Sequence, residues 1–143
     1  MLATNETYLK AENLTLKDIK GALPISGIYT FAPGRMERVI GKGEEAAKSA
    51  SPVQHVSGKE PPFLILYVKN DFPGCGKMSV DLCNALKEKK VEADIKEIDD
   101  RNHSTIMLYL MLSEADPTTQ AMLGFIAKHA GLKLKPRDAK IDK

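Results

Sequence analysis

The fold is decided by the stretch Phe63-Leu-Ile-Leu-Tyr-Val68, which follows Pro61-Pro62 and precedes a loop rich in glycine and proline. Its residues are apolar at consecutive positions rather than at alternate ones. This pattern is typical of a strand that is buried on both faces, and such strands lie inside parallel sheets covered by helices. The stretch therefore predicts a central strand of an α/β domain.

The neighbouring segments extend this pattern in both directions. A helix is predicted from Lys77 to Lys90, because apolar residues recur on one face at Met78, Leu82, Ala85 and Leu86. Val91–Ile98 reads as the next strand, and a strand, helix, strand order of these lengths indicates a right-handed parallel crossover. Upstream, Asp18–Ser26 reads as a short buried strand, although Pro24 disfavours a central position for it. We expect an α/β fold of about three parallel strands flanked by helices.

The rest of the chain adds a last helix and two irregular regions. Asp116 and Pro117 predict the N-cap and first position of that helix, and Gly131 predicts its C-cap. Residues 28–58 are predicted to be irregular, with one helical piece near Glu44 to Ser49, and to border a pocket. Residues 133–143 read as a basic, solvated tail with Lys133, Lys135, Arg137, Lys140 and Lys143.

Composition limits the class of protein. The 143 residues suit a single domain, and the net charge of +2 gives no indication of a nucleic-acid partner. Two cysteines make no disulfide framework. The first residues lack a basic and apolar leader, and no apolar run approaches the roughly 20 residues of a membrane span. We therefore expect a cytoplasmic protein with no membrane partner.

Asp71 and His103 are the candidate catalytic residues. Asp71 follows the central strand, and His103 follows the next predicted strand in the loop Asp100-Arg-Asn-His103. The carboxyl ends of parallel strands meet at one edge of a sheet, where α/β proteins place their sites. A buried carboxylate can orient a histidine, and histidine is the usual general base. Taken alone, each residue is better explained as an ordinary loop residue, but together they predict an acid–histidine pair.

Two other kinds of site are considered. Cys75 lies in the loop before a predicted helix, as in thioredoxin- or glutaredoxin-like proteins, and a helix N-terminus lowers the pKa of a thiol. Cys83 lies too far along the helix to complete a C-x-x-C pair. No His, Cys, Asp or Glu cluster has the spacing of a zinc site, so neither a metal nor a cofactor is expected.

These residues and their order carry a resemblance to a known family. The chain resembles the C-terminal half of bacterial α/β-hydrolase esterases of the carboxylesterase/lipase type, near the feruloyl-esterase-like and hormone-sensitive-lipase-like enzymes. The resemblance covers nearly the whole chain, and its stretches are Asp18-Ile-Lys-Gly21, Pro24-Ile-Ser-Gly-Ile-Tyr29, Ala50-Ser-Pro-Val53, Pro61-Pro-Phe-Leu-Ile65, Asn70-Asp71, Asp100-Arg-Asn-His103 and the helix from Asp116 to His129. It implies hydrolysis of a small-molecule carboxylic ester, with Asp71 as the acid and His103 as the histidine of a triad.

The third member of such a triad is absent from the sequence. No Gly-x-Ser-x-Gly occurs in the chain, and the resemblance implies a serine lying before Met1 in a longer enzyme. The chain is then either a truncated esterase or a remnant that is inactive alone. The alternative is a non-catalytic module that associates, for example as a dimer, through the open edge of the Asp18–Ser26 strand.

Overall fold

A computed structural model describes residues 1–110, 112–113 and 115–133. Most of the predicted basic tail lies outside these residues. Two strands and six helices are present in the described part: β1 (Phe63–Tyr67), β2 (Ala93–Glu97), α1 (Thr7–Lys10), α2 (Glu37–Ile40), α3 (Gly43–Ala50), α4 (Cys75–Glu88), α5 (Thr105–Leu108) and α6 (Pro117–Ala130). Short 3-10 turns are formed by Leu16–Asp18 and Pro52–His55. No helix among the described residues is long and apolar enough to cross a bilayer.

The sheet is parallel, as predicted, and β1 lies at its centre. Phe63 pairs with Ala93 and Tyr67 pairs with Glu97, in an uninterrupted register between β1 and β2. Ile65 and Leu66, in the middle of β1, are fully buried. Burial on both faces explains why β1 is apolar at every position, and the α/β fold class is confirmed.

The predicted third strand is only partly formed. The segment from Ala22 to Ser26 lies beside β1 and makes isolated parallel bridges rather than a regular strand. The Ser26 amide donates to the Leu66 carbonyl at 2.8 Å, and the Pro24 carbonyl accepts from the Leu66 amide at 2.9 Å. The ladder is interrupted because Pro24 has no N–H to donate. The prediction of a complete strand over Asp18–Ser26 is therefore corrected to a bridged edge segment.

Helices cover both faces of this small sheet. On one face α4 packs its buried residues Leu82, Cys83 and Leu86 against Phe63 and Ile65. On the other face, α6 contributes Ala121, Met122 and Phe125 to a cluster around Leu64, Leu66, Val68, Ile98 and Ile106. Each face thus has its own apolar core, with β1 shared between them.

The last helix begins and ends where its sequence predicts. The Asp116 carboxylate accepts from the amides of Thr118 and Thr119, which satisfies two of the free N–H groups of the first turn. Gly131 ends the helix in the left-handed region, with φ of 66°. These caps fix the start of α6 beside the loop that carries His103.

Candidate functional site

A backbone bridge brings the two predicted site residues together. Asn70 and Asn102 form an isolated parallel bridge beyond the ends of β1 and β2. Each of these asparagines immediately precedes a site residue, Asp71 in one loop and His103 in the other. The bridge continues the pairing of the sheet into the loops, so the carboxylate and the imidazole lie side by side at the carboxyl edge.

The register at this edge differs from that of the sheet. Tyr67 pairs with Glu97, and the same spacing continued to Asp71 would place Arg101 opposite the carboxylate. Between that pair and the asparagine bridge, the β2 side contains two more residues than the β1 side. Asp100, in this extra stretch, has a left-handed φ of 54°. The bulge therefore brings the histidine, rather than the arginine, to Asp71.

The contact between the two side chains is a hydrogen bond. His103 Nδ1 lies 2.8 Å from Asp71 Oδ1. The Asp71 side chain is 2% exposed, whereas the His103 side chain is 58% exposed. Asp71 Oδ1 also accepts from the Phe72 amide at 2.8 Å, and the Phe72 ring meets the imidazole edge to face at 5.6 Å. Because a carboxylate only accepts, Nδ1 carries the proton in this contact.

The second ring nitrogen is the one available for chemistry. Among the described residues, His103 Nε2 has no hydrogen-bond partner. An imidazole that donates from Nδ1 has Nε2 free to accept a proton while it is neutral. The neighbouring carboxylate can then stabilise the imidazolium. This arrangement can act as a general base toward a group placed at the exposed side of the ring.

The environment of Asp71 keeps it ionised. Burial raises the pKa of the carboxyl group. Hydrogen-bond donors around it lower the pKa by more than burial raises it, so the pKa lies below its usual range. These donors are the Ser26 hydroxyl, the Phe72 amide, the Cys75 thiol and the His103 ring. Neither Ser26 Oγ nor Asp71 Oδ2 makes a hydrogen bond of ordinary geometry with a described residue, and both atoms are buried.

The depressed pKa of Asp71 predicts a dependence of stability on pH. The unfolded chain binds the Asp71 proton at a higher pH than the folded chain does. Its contribution to stability is therefore present above about pH 4, the ordinary aspartate value, and is lost as the pH falls through the lower folded-state pKa. We expect Asp71→Asn to flatten the acid side of the stability curve, measured by urea unfolding between pH 2 and 6. Asp99→Asn, at an exposed position, is the control, and an equal flattening there would contradict the expectation.

Cys75 does not have the environment of a reactive thiol. Its side chain is fully buried, with Sγ 3.9 Å from the Gly27 carbonyl. Burial, and then the charge of Asp71, raise the pKa of the thiol to about 12. This outweighs the effect of its place at the start of α4. Cys83 is also buried and free, so the geometry gives no support to the thiol alternative.

Three serines, Ser26, Ser51 and Ser79, are buried. Ser51 Oγ donates to the Ala47 carbonyl and accepts from the Phe31 amide. Ser26 and Ser79 are buried without hydrogen bonds of ordinary geometry to described residues. No group of His, Cys, Asp or Glu suited to a metal ion occurs in the described ranges.

Two cavities border the pair. A cavity of about 130 Å³ lies beside Phe72 and is lined by Ile28, Thr30, Phe31, Ala32, Arg35, Met36, Phe72, Pro73 and Met78. A larger and more polar one of about 690 Å³ lies on the side of the Asn70–Asn102 bridge and includes Lys69, Asp99, Arg101 and Tyr109. Phe72 lines the smaller cavity and contacts the imidazole, which links that cavity to the pair.

The chain resembles known proteins in structure but matches none in sequence. No protein-family model matches the chain, and no curated protein matches it. Solved structures do match. Esterase 2 of Thermogutta terrifontis, phosphoramylated by tabun, is 16% identical with a TM-score of 0.59, over 82% of this chain and 44% of that one. The acetyl ester-xyloside bifunctional hydrolase from Caldicellulosiruptor lactoaceticus is 17% identical with a TM-score of 0.61, over 79% and 43%.

A third similar structure comes from another group of hydrolases. Pyrococcus horikoshii acylaminoacyl peptidase is 16% identical with a TM-score of 0.58, over 87% of this chain and 22% of that one. The chain has a partial α/β-hydrolase fold. It spans less than half of the length of each of these three structures. At such low identity the likeness is one of fold.

Proposed function

We propose that the chain is the acid- and histidine-bearing part of a serine carboxylic ester hydrolase. In this proposal His103 is the general base and then the general acid, and Asp71 orients its ring and stabilises the imidazolium. The observation that carries the proposal is the 2.8 Å contact from His103 Nδ1 to a carboxylate that is almost fully buried. The esterases among the similar structures support a small-molecule ester as the substrate class.

The nucleophile is the missing part of the proposed triad. A serine needs a base, and its tetrahedral intermediate needs hydrogen-bond donors that form an oxyanion hole. The sequence contains no Gly-x-Ser-x-Gly, and the buried hydroxyls of Ser26 and Ser79 are not accessible to a substrate. We therefore propose that a segment outside this sequence supplies the serine and the oxyanion hole, and that the 143-residue chain is inactive alone.

The substrate pocket is proposed to lie along residues 28–58. The cavity of about 130 Å³ takes most of its lining from this region and the rest from residues around Phe72 and Met78. Its walls are mainly apolar, and Phe72 joins it to the imidazole. A small apolar group of an ester placed in this cavity would bring the ester carbonyl near His103.

Ester hydrolysis by the purified chain tests the proposed inactivity. We expect p-nitrophenyl acetate to be hydrolysed by the 143-residue protein without saturation, and at the same rate by His103→Asn and His55→Asn, because no serine stands beside the base. His55 is the matched control, since its Nε2 is held by the Ser49 carbonyl at 2.8 Å. Saturable turnover that is lost only with His103→Asn would contradict the claim of inactivity.

The DNA before the Met1 codon tests the proposed parent enzyme. An in-frame Gly-x-Ser-x-Gly shortly upstream would support a longer hydrolase. A stop codon in that interval would contradict it.

A second candidate is a non-catalytic module that associates through the edge of the sheet. Ala22 and Ser26 use their amides to pair with β1, whereas the amides and carbonyls of Leu23 and Ile25 make no hydrogen bond among the described residues. Such an open edge can pair with a strand of another chain. Sedimentation over a range of concentrations tests this: a dimer would favour the module, and a stable monomer at high concentration would contradict it.

A further inference from the structure

The loop that carries His103 is tied to α6 by an ion pair that lies mostly out of solvent. Arg101 Nη2 is 2.8 Å from Asp116 Oδ2, and the two side chains are 18% and 3% exposed. Asp116 itself is held in place, because its Oδ1 accepts from the amides of Thr118 and Thr119. The arginine is therefore attached to a fixed point on a packed helix rather than to a mobile side chain.

Arg101 also contacts the Asp100 carbonyl and the Tyr109 ring. Arg101 Nη1 donates to the Asp100 carbonyl at 2.9 Å, within the left-handed turn of the bulge. Its guanidinium lies over the Tyr109 ring, 4.7 Å from the centroid. A planar guanidinium can make these contacts together, whereas the ammonium of a lysine is a single point charge. One side chain thus joins the bulge, the end of α5 and the start of α6.

We propose that Arg101 is a positioning residue for His103. The proposal rests on the proposed function, because it concerns the same acid–histidine pair. The bulge places His103, instead of Arg101, opposite Asp71. It contains Asp100, whose backbone is in the left-handed region. The contact to Asp116 holds Arg101 away from the Asp71 carboxylate and fixes the shifted register. Without it, the loop is free to relax toward other registers, and the imidazole loses its alignment with Asp71.

The position of the pair argues for a role beyond general stability. Arg101 lies two residues before His103, and the Asn102 between them forms the bridge to Asn70. Asn102 Oδ1 also accepts from the amides of Ser104 and Thr105 at 3.0 Å, so hydrogen bonds tie the residue before His103 to the start of α5.

The tautomer of the His103 ring provides a readout that a purely stabilising residue would not change. Nitrogen-15 NMR of the neutral imidazole, in the full 143-residue protein, distinguishes Nδ1–H from Nε2–H. In the wild type we expect Nδ1–H to predominate, because Nδ1 faces the Asp71 carboxylate. In Arg101→Met we expect the ratio of Nδ1–H to Nε2–H to fall about fivefold, the scale of a weakened hydrogen bond.

Two conservative variants keep the test decisive if Arg101→Met does not fold. Arg101→Lys retains the charge but not the planar contacts, so we expect an intermediate ratio. Asp116→Asn retains a good N-cap and removes only the ion pair, so we expect a fall similar to that of Arg101→Met. The matched control is Lys128→Met, which breaks the exposed Lys128–Glu92 pair and should leave the ratio unchanged.

The outcomes separate this inference from the proposed function. An unchanged tautomer ratio in folded Arg101→Met or Asp116→Asn would overturn the positioning role. Loss of folding in all three variants would assign the ion pair to stability, and would overturn it as well. If Asp71→Asn leaves the ratio as it is in the wild type, the Asp71–His103 pair itself is not formed, and the proposed function fails first.

Discussion

Asp71→Asn is expected to lower kcat for ester hydrolysis by about 10⁴-fold in a protein that also contains the serine nucleophile. The amide cannot stabilise the imidazolium, and its NH2 group can donate to Nδ1, which would leave the ring in the wrong tautomer. The effect should be on kcat more than on KM, since Asp71 is buried beneath the ring and does not face the substrate. Steady-state hydrolysis of p-nitrophenyl esters measures it.

Glu92→Gln is the matched control for this loss. Glu92 also approaches a histidine, His129, at 3.6 Å, but at the other end of the domain and at an exposed position. Its replacement should change kcat less than about twofold, as expected for a surface substitution. If Asp71→Asn retains a tenth or more of the wild-type kcat, the proposed role of the carboxylate in catalysis is contradicted.

Leu66→Ala is expected to lower the free energy of unfolding by about 2–5 kcal/mol. Leu66 is fully buried in β1, where it contacts the cluster between the sheet and α6 and bonds through its backbone to the edge segment. Truncation leaves a cavity between elements that cannot collapse freely, because the backbone bonds hold the strand on both sides. Urea unfolding followed by circular dichroism measures the change.

Leu108→Ala provides the comparison for this core substitution. Leu108 is 67% exposed, on the short helix α5. Its truncation should change the free energy of unfolding by about 0.5 kcal/mol or less. Equal costs at the two positions would show that β1 is not the centre of the folded core.

The longest elements could be predicted because local signals determine them. β1 follows from its continuous apolar run, and α6 follows from Asp116, Pro117 and Gly131 at its ends. The predicted start of α4 was late by two residues. Gly74, with φ of 88°, provides a left-handed turn that lets the helix begin at Cys75.

The details of the site depend on contacts that no local pattern contains. Pro24 indicates an interruption of the strand, but the segment's isolated bridges follow from pairing with a strand some forty residues away. The shift in register before His103 depends on how the two loops meet. The Arg101–Asp116 pair joins the loop to a helix that begins later in the chain. Burial of Cys75 is likewise a tertiary effect, and it reverses the thiol pKa that a helix start alone would favour.

The most direct test of the proposed function is ester hydrolysis by the protein translated from the reading frame extended upstream of the Met1 codon, compared with the 143-residue chain and with His103→Asn in the longer protein. We expect saturable turnover in the longer protein, its loss in His103→Asn, and none in the short chain. Saturable turnover in the longer protein that His103→Asn leaves unchanged would contradict the assignment of the Asp71–His103 pair as the acid and base of a hydrolase.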